Sequence, residues 1–472
     1  MTSSNESSVD RGSPQEAQAY GCRALIALFL FALAIRWSYS LGIFAAMADG
    51  GLVIADGHGF LEDASKFVGL IQSGTIQPSQ WIGVNTGIMP LFSWVLALHV
   101  AIFGDQAPLA FVMSQGLIDS ATCLLVFGIA ATISPRLAMP SAIAAAINPT
   151  SIVLAGLVYT DTIFVFFVAV MLLGAVRWIK TPTLQWALII GLGVGGAGLT
   201  RIMIAPWVPI LCVFLLAVQV WQRSLALRNV GHVIVIGAIF CLCIAPVALR
   251  NIIYYDTWAL TSQSGYHFAY WVVPLIKEAQ DGTPWEKTVA VLQKKERSQR
   301  TGNVNNFQAS VAARRIGEEA LKDLGYAAMA KAWINGAVIN LASPAIVTSP
   351  PVSQLPRTGF FATAGATPIE KIFNFVFRSD NNLFALLLIA GALGVAVVRV
   401  IQVVGFVVLI RTTSLACVLL FVLWVLYVLA VNGPIAAPKY RLPMEPVLCV
   451  FTGAGFVAIR DWWRRRRKPA TA

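Results

Sequence analysis

Two sets of side chains carry the chemistry this sequence could perform. The first is acidic: Asp49, Asp56, Glu62 and Asp63, with His58 among them, share one stretch between apolar runs, and Asp161 stands in a Tyr-Thr-Asp step where another run begins. A carboxylate within hydrogen-bond reach of a hydroxyl can take its proton as that oxygen attacks carbon. For Asp161 two readings stay open, an active-site acid or a residue at a helix N-terminus, since a carboxylate at a membrane boundary is costly to desolvate and needs one reason or the other. The second set is basic: Arg201, Arg250 and the run Lys439-Tyr440-Arg441. Guanidinium groups bind phosphate through paired hydrogen bonds, and the bland alternative for each is contact with ordinary phospholipid headgroups. No Walker loop, His-Glu-x-x-His or nucleophile elbow occurs. The Gly-rich run at 191–196 lies inside an apolar stretch with no strand before it and reads as close helix packing.

These residues need elements that hold them at one depth, and the composition says which. Apolar residues make up 57% of the chain and charged ones 12%, against roughly a quarter charged in soluble domains. The net charge of +12 is spread between apolar runs with no separate basic domain, which suits anionic lipid headgroups and excludes a nucleic-acid partner. All seven Cys lie in or beside apolar runs, against a disulfide framework or a zinc site.

Ten runs reach roughly 20 residues, enough for a membrane-spanning helix: 24–47, 107–133, 137–156, 162–178, 184–200, 202–221, 230–249, 383–400, 412–431 and 442–459. Ala46-Met47-Ala48 resembles a signal-peptidase site, but the run before it exceeds a signal core and is kept as the first span. Met89–Phe103 is too short to span comfortably and reads as a helix at the surface; were it a span, everything after it would invert. Placing both termini in the cytoplasm puts Arg23, Arg136, Arg177, Lys180, Arg223, Arg228, Arg399, Arg411 and the 464–468 cluster inside. The expected organisation is a disordered tail over 1–22, a transmembrane bundle over 23–250 with a first external loop at 48–106, an external cap at 251–382, further spans at 383–460 and a basic cytoplasmic tail at 461–472.

Several segments taken in order then resemble a known family. DASKFVGLIQSG at 63–74, the following MPLFSWVLALHVAIFG and SQGLIDSATCLLVFGIA, INPTSIVLAGLVYTDTIFVFF with its acid at Asp161, GLTR at 198–201, APVALRN at 245–251 with LTSQSGYHFAYW after it, and KYRLPMEP at 439–446 are similar to the C-type glycosyltransferases. The bacterial relatives of protein O-mannosyltransferases and of lipid A aminoarabinose transferases match best. The resemblance implies an all-α membrane fold of about ten spans with an interfacial helix and a periplasmic cap, in the bacterial inner membrane with its active site facing the periplasm. It implies inverting transfer of a hexosyl or pentosyl group from a polyprenyl-phosphate donor to lipopolysaccharide, another glycan or a protein. Asp63 would be the base, with Asp161 the second acid, and Arg250, Arg441, Arg201, Lys439 and Tyr440 would hold the donor phosphate. Some relatives use a divalent metal near the first-loop acids and others do not; His58, Glu62 and His267 are the side chains that could hold one. The chain departs from the aminoarabinose transferases at Ile88-Met89-Pro90-Leu91, where they show Lys-Pro-Pro-Leu. Two rival readings are a transporter or flippase, with Arg36, Asp119 and Asp161 lining a pathway, and a polysaccharide ligase or polymerase with a diphosphate-linked donor.

Overall fold

The computed structural model describes residues 21–47, 50–299, 304–356, 363–365, 367–378 and 381–467. Asp49, nearly all of the polar N-terminal tail and the last five residues of the basic tail lie outside the described residues. Regular structure among the described residues is helical throughout. The first part of the chain runs α1 (Cys22–Ala46), α2 (Asp56–Gln72), α3 (Pro90–Phe103), α4 (Ala107–Ile133), α5 (Pro135–Ala146), α6 (Pro149–Ala155), α7 (Asp161–Lys180), α8 (Leu184–Thr200), α9 (Trp207–Trp221) and α10 (Leu227–Tyr255). An inserted helical segment follows: α11 (Ser264–His267), α12 (Val273–Asp281), α13 (Trp285–Gln299), α14 (Asn306–Leu321), α15 (Tyr326–Ala342), α16 (Pro350–Ser353) and α17 (Pro368–Phe377). The chain closes with α18 (Asn382–Thr412), α19 (Leu415–Asn432) and α20 (Glu445–Arg467).

Each of the ten apolar runs is helical over most of its length. Eight helical stretches among the described residues are long and apolar enough to cross a membrane, nine when α5 and α6 are taken as one bent span, and α8 is a shorter apolar helix of 17 residues. This is a multi-pass membrane protein. The run at 137–156 is bent by 48° where Asn148 and Pro149 separate α5 from α6, because proline lacks an amide hydrogen and clashes with the preceding turn. Asn148 caps the new helix by accepting from the amides of Thr150 at 2.9 Å and Ser151 at 3.3 Å.

Helices already in lipid gain little from excluding water, so close approach of backbones holds them together. A Cβ on Gly193 would stand 2.6 Å from the Met171 amide nitrogen, which brings the Gly-rich run of α8 against α7. Gly405 and Gly455 do the same between α18 and α20, where added Cβ atoms would stand 1.9 Å and 2.0 Å from carbonyl oxygens. In the inserted segment ordinary burial works instead: Val273, Leu292 and Ile316 form one cluster, each stabilising the fold by about 1.5–3 kcal/mol.

Two charged residues deep in the bundle have structural partners. Arg36 forms an ion pair with Asp119 at 2.7 Å, and its guanidinium also donates to the carbonyls of Ala145 and Ala146 at the end of α5. Both are almost wholly buried, and they tie α1, α4 and α5 together. Arg399 and Arg441 are expected on opposite sides of the membrane, yet Arg399 donates to the Leu341 carbonyl at 3.0 Å, an acceptor it shares with Arg441. The two arginines share one level, so opposite sides cannot hold for both.

Candidate active site

Two hollows meet beside the start of α2. One is polar, about 270 Å³ in volume, and its lining includes Asp56, Asp161, Arg201, His267, Lys439 and Tyr440. The other is an apolar groove of about 710 Å³ whose walls include Ile372, Phe375 and Val376 of α17 and Leu388, Ile389 and Leu393 of α18. Tyr159 and Lys439 line both.

Local backbone sets each polar group. Asp56 is the first residue of α2, and the chain turns into that helix through Ala55, which holds the left-handed φ of +44°. Such a conformation costs an L-residue energy that the surroundings must supply. Lys439 sits in a tight helical turn over 438–444 that carries prolines at both 438 and 443. Its ammonium donates to Asp56 Oδ2 at 3.0 Å and lies over the rings of Tyr159 at 5.3 Å and Tyr440 at 5.4 Å. Asp161 opens α7, where the helix dipole favours an anion, and forms an ion pair with Arg201 from the break after α8. The cap position is Thr160, so Asp161 belongs to the cavity as well as to the helix start.

His267 reaches the cavity from α11. Burial first, then the Arg201 and Lys439 cations, push its imidazole below the ordinary histidine value, so the ring is neutral near pH 7. Burial pushes the Tyr159 hydroxyl up to about 12, outweighing Lys439, so it stays protonated. α11 is seated by Gly265, whose amide donates to Ser310 Oγ at 3.0 Å; a Cβ there would stand 1.8 Å from the Ser310 carbonyl oxygen. A π-helical turn over 268–272 follows directly, a feature frequent at functional sites.

Three expected site residues are elsewhere. Asp63 lies two turns along α2 from Asp56 and accepts a hydrogen bond from Asn85, whose Oδ1 accepts from the Gly87 amide at 2.7 Å. It supports the loop that edges the cavity and does not line it. Arg441 is 3% exposed. It donates to Glu445 at 2.7 Å, to Thr150 at 2.6 Å, and to the carbonyls of Asn340, Leu341 and Ser343 at the end of α15. Its hydrogens are engaged in joining α15, α6 and α20. Arg250 is buried against Asn251, to which it donates at 2.9 Å, away from the cavity lining. Of the metal candidates, His58 and Glu62 are exposed on α2 and only His267 lines the cavity. Among the described residues no group of three or more His, Cys, Asp or Glu stands close enough to hold a metal ion.

Asp56, one of the acids of the first external stretch, lines the cavity where Asp63 does not. Within the first external stretch an acid is followed four residues later by an aromatic at two places, Asp56 with Phe60 and Asp63 with Phe67. Phe60 lines the cavity and packs edge-on against Phe92 at 5.1 Å.

Comparison with known proteins bears on this arrangement. Residues 87–249 match a family model described as dolichyl-phosphate-mannose-protein mannosyltransferase. No curated protein sequence matches the chain. The oligosaccharyltransferase of Archaeoglobus fulgidus, solved in complex with zinc and sulfate, matches with a TM-score of 0.54 at 13% identity, over 94% of this chain and 50% of that one. ArnT from Cupriavidus metallidurans in the apo state matches at 15% identity over 92% of this chain and 78% of its own, with a TM-score of 0.38. The same protein bound to undecaprenyl phosphate gives 16%, 93%, 79% and 0.37. The all-helical C-type glycosyltransferase fold expected from the sequence is the fold of this chain.

Proposed function

We propose that this chain transfers a single sugar from a polyprenyl-phosphate carrier to an envelope acceptor, lipopolysaccharide, another glycan or a protein, on the periplasmic face of the bacterial inner membrane. The carrying observation is the junction at Lys439, where an apolar groove fit for a polyprenyl chain opens onto a polar cavity of sugar-like size. The match of residues 87–249 to a mannosyltransferase model and the undecaprenyl phosphate bound by ArnT support the same donor class.

In this reading the donor phosphate lies at the junction, held by Lys439 and Arg201, with its chain in the groove and its sugar in the cavity. The acceptor hydroxyl oxygen attacks C1 from the face opposite the phosphate. The bond from C1 to the phosphate oxygen breaks, its electron pair stays on the phosphate, and the acceptor proton passes to Asp56, giving the inverted glycoside and polyprenyl phosphate. Asp161 orients Arg201, while neutral His267 and protonated Tyr159 offer hydrogen bonds to sugar hydroxyls. Ile88 lines the cavity, so the departure from the aminoarabinose transferases falls inside the site and favours a different sugar.

The test is transfer of label from radiolabelled polyprenyl-phosphate sugars into an envelope extract by purified protein, comparing wild type, Asp56→Asn and Asp63→Asn. Loss of a positioned general base lowers the rate about 10²- to 10⁴-fold; that loss is expected for Asp56→Asn and only a mild one for Asp63→Asn. No release from any monophosphate donor by folded wild-type protein overturns the reading, and the reverse ranking of the two variants returns the base to Asp63.

A further inference from the structure

Lys439 has two claimants. In the structure its ammonium is bonded to Asp56, and among the described residues it is the only group bonded to that carboxylate. It also forms part of the wall where the groove meets the cavity. The second acid of the cavity is held differently: Asp161 is 4% exposed against Arg201, whereas the Asp56 side chain is 59% exposed with a single lysine across it. A lysine ammonium is a compact point charge on a flexible four-carbon stem, able to exchange one anion for another with little movement, unlike a forked guanidinium.

We infer that Lys439 is an interlock: with no donor present it masks Asp56, and a phosphate seated at the mouth of the groove draws the ammonium away and frees the carboxylate to act as base. The inference rests on the proposed donor reading and adds an order of events to it. Donor binding raises the availability of the base, which favours activation of an acceptor at a loaded site over activation of water or acceptor at an empty one. The rings of Tyr159 and Tyr440 give the ammonium a seat while it changes partners. Lys439 forms no covalent bond, and the balance of the transfer step is as written above.

The experiment uses full-length protein in detergent and two probes of equal chain, farnesyl phosphate and farnesol. Binding is measured with tritiated probe, and availability of Asp56 by carbodiimide coupling to glycine ethyl ester followed by peptide mass spectrometry, with exposed Asp105 as reference. Farnesyl phosphate should raise coupling at Asp56 about two- to five-fold relative to Asp105, the factor by which an exposed ion pair withholds a carboxylate, and farnesol should leave it unchanged. Lys439→Gln should couple at the raised level with or without probe. Saturable binding of farnesyl phosphate with no change at Asp56 overturns the interlock and leaves the donor reading standing. Absence of saturable binding overturns both.

Discussion

Replacing Arg441 by Met separates a phosphate-binding arginine from a structural one. The side chain is 3% exposed, forms an ion pair with Glu445 at 2.7 Å, and satisfies three carbonyls at the end of α15 together with the Thr150 hydroxyl. Removing it leaves Glu445, itself 5% exposed, with Asn148 as its remaining hydrogen-bond donor at 2.8 Å. Breaking a buried pair from one side costs about 3–5 kcal/mol, because the remaining charge loses its closest partner. Arg441→Met should therefore lower the apparent Tm in detergent by many degrees, and adding Glu445→Leu should recover much of the loss, since the isolated carboxylate is then gone. Arg201→Met strands Asp161, 4% exposed, and so also lowers the Tm, but unlike Arg441→Met it should remove farnesyl phosphate binding and transfer in protein that is still folded. The assay is thermal unfolding followed by tryptophan fluorescence, paired with binding of farnesyl phosphate. Wild-type Tm with lost binding in Arg441→Met would refute the structural assignment and restore Arg441 to the donor phosphate.

Two further outcomes follow from the cavity. His267 is held below the ordinary histidine pKa of 6.5, so as pH falls below about 6.5 the unfolded chain takes up a proton that the folded chain does not, and stability is lost on acidification. Thermal unfolding of His267→Gln between pH 7 and pH 5 should show a shallower acid limb than wild type, and an unchanged limb would place a normal imidazole there. Gly265→Ala puts a methyl group where the Ser310 carbonyl stands 1.8 Å away, an overpacking of about 1–3 kcal/mol that should push α11 out of the cavity. Transfer should fall sharply with a modest drop in Tm; wild-type turnover would show that α11 does not position the sugar.

The bundle was legible because hydropathy reports directly on the solvent around a helix. All ten runs are helical over most of their length, and the break at Asn148 and Pro149 bends one of them by 48°. Which acid of the first external stretch lines the cavity was harder to read, for a geometric reason. Asp56 and Asp63 are seven residues apart, which on an α-helix returns to nearly the same face about 10 Å along the axis. Periodicity therefore treats them alike, and only the depth at which α2 meets the loop carrying Lys439 distinguishes them. Arg441 and Arg250 were placed by their position at helix ends, a local signal. What engages Arg441 is the end of α15, about a hundred residues away in the chain, and no local pattern encodes that meeting. The level of Arg399 was hidden because α18 exceeds the length a membrane requires, and composition alone does not say which stretch of a long apolar helix lies in the bilayer.

The cavity pairs its charges as Lys439 with Asp56 and Arg201 with Asp161, beside a neutral His267. A site in electrical balance takes on net charge with whatever phosphate enters it. The donor of the proposed reaction is a phosphodiester bearing one negative charge, whereas the spent carrier is a monoester with roughly −1.5 to −2 at neutral pH. Lys439, once freed, and Arg201, still oriented by Asp161, would hold the exhausted lipid more tightly than the loaded one. Turnover would then be paced by departure of the bare carrier into the bilayer, so the supply of recharged carrier and the removal of the spent one would jointly set the flux through this protein.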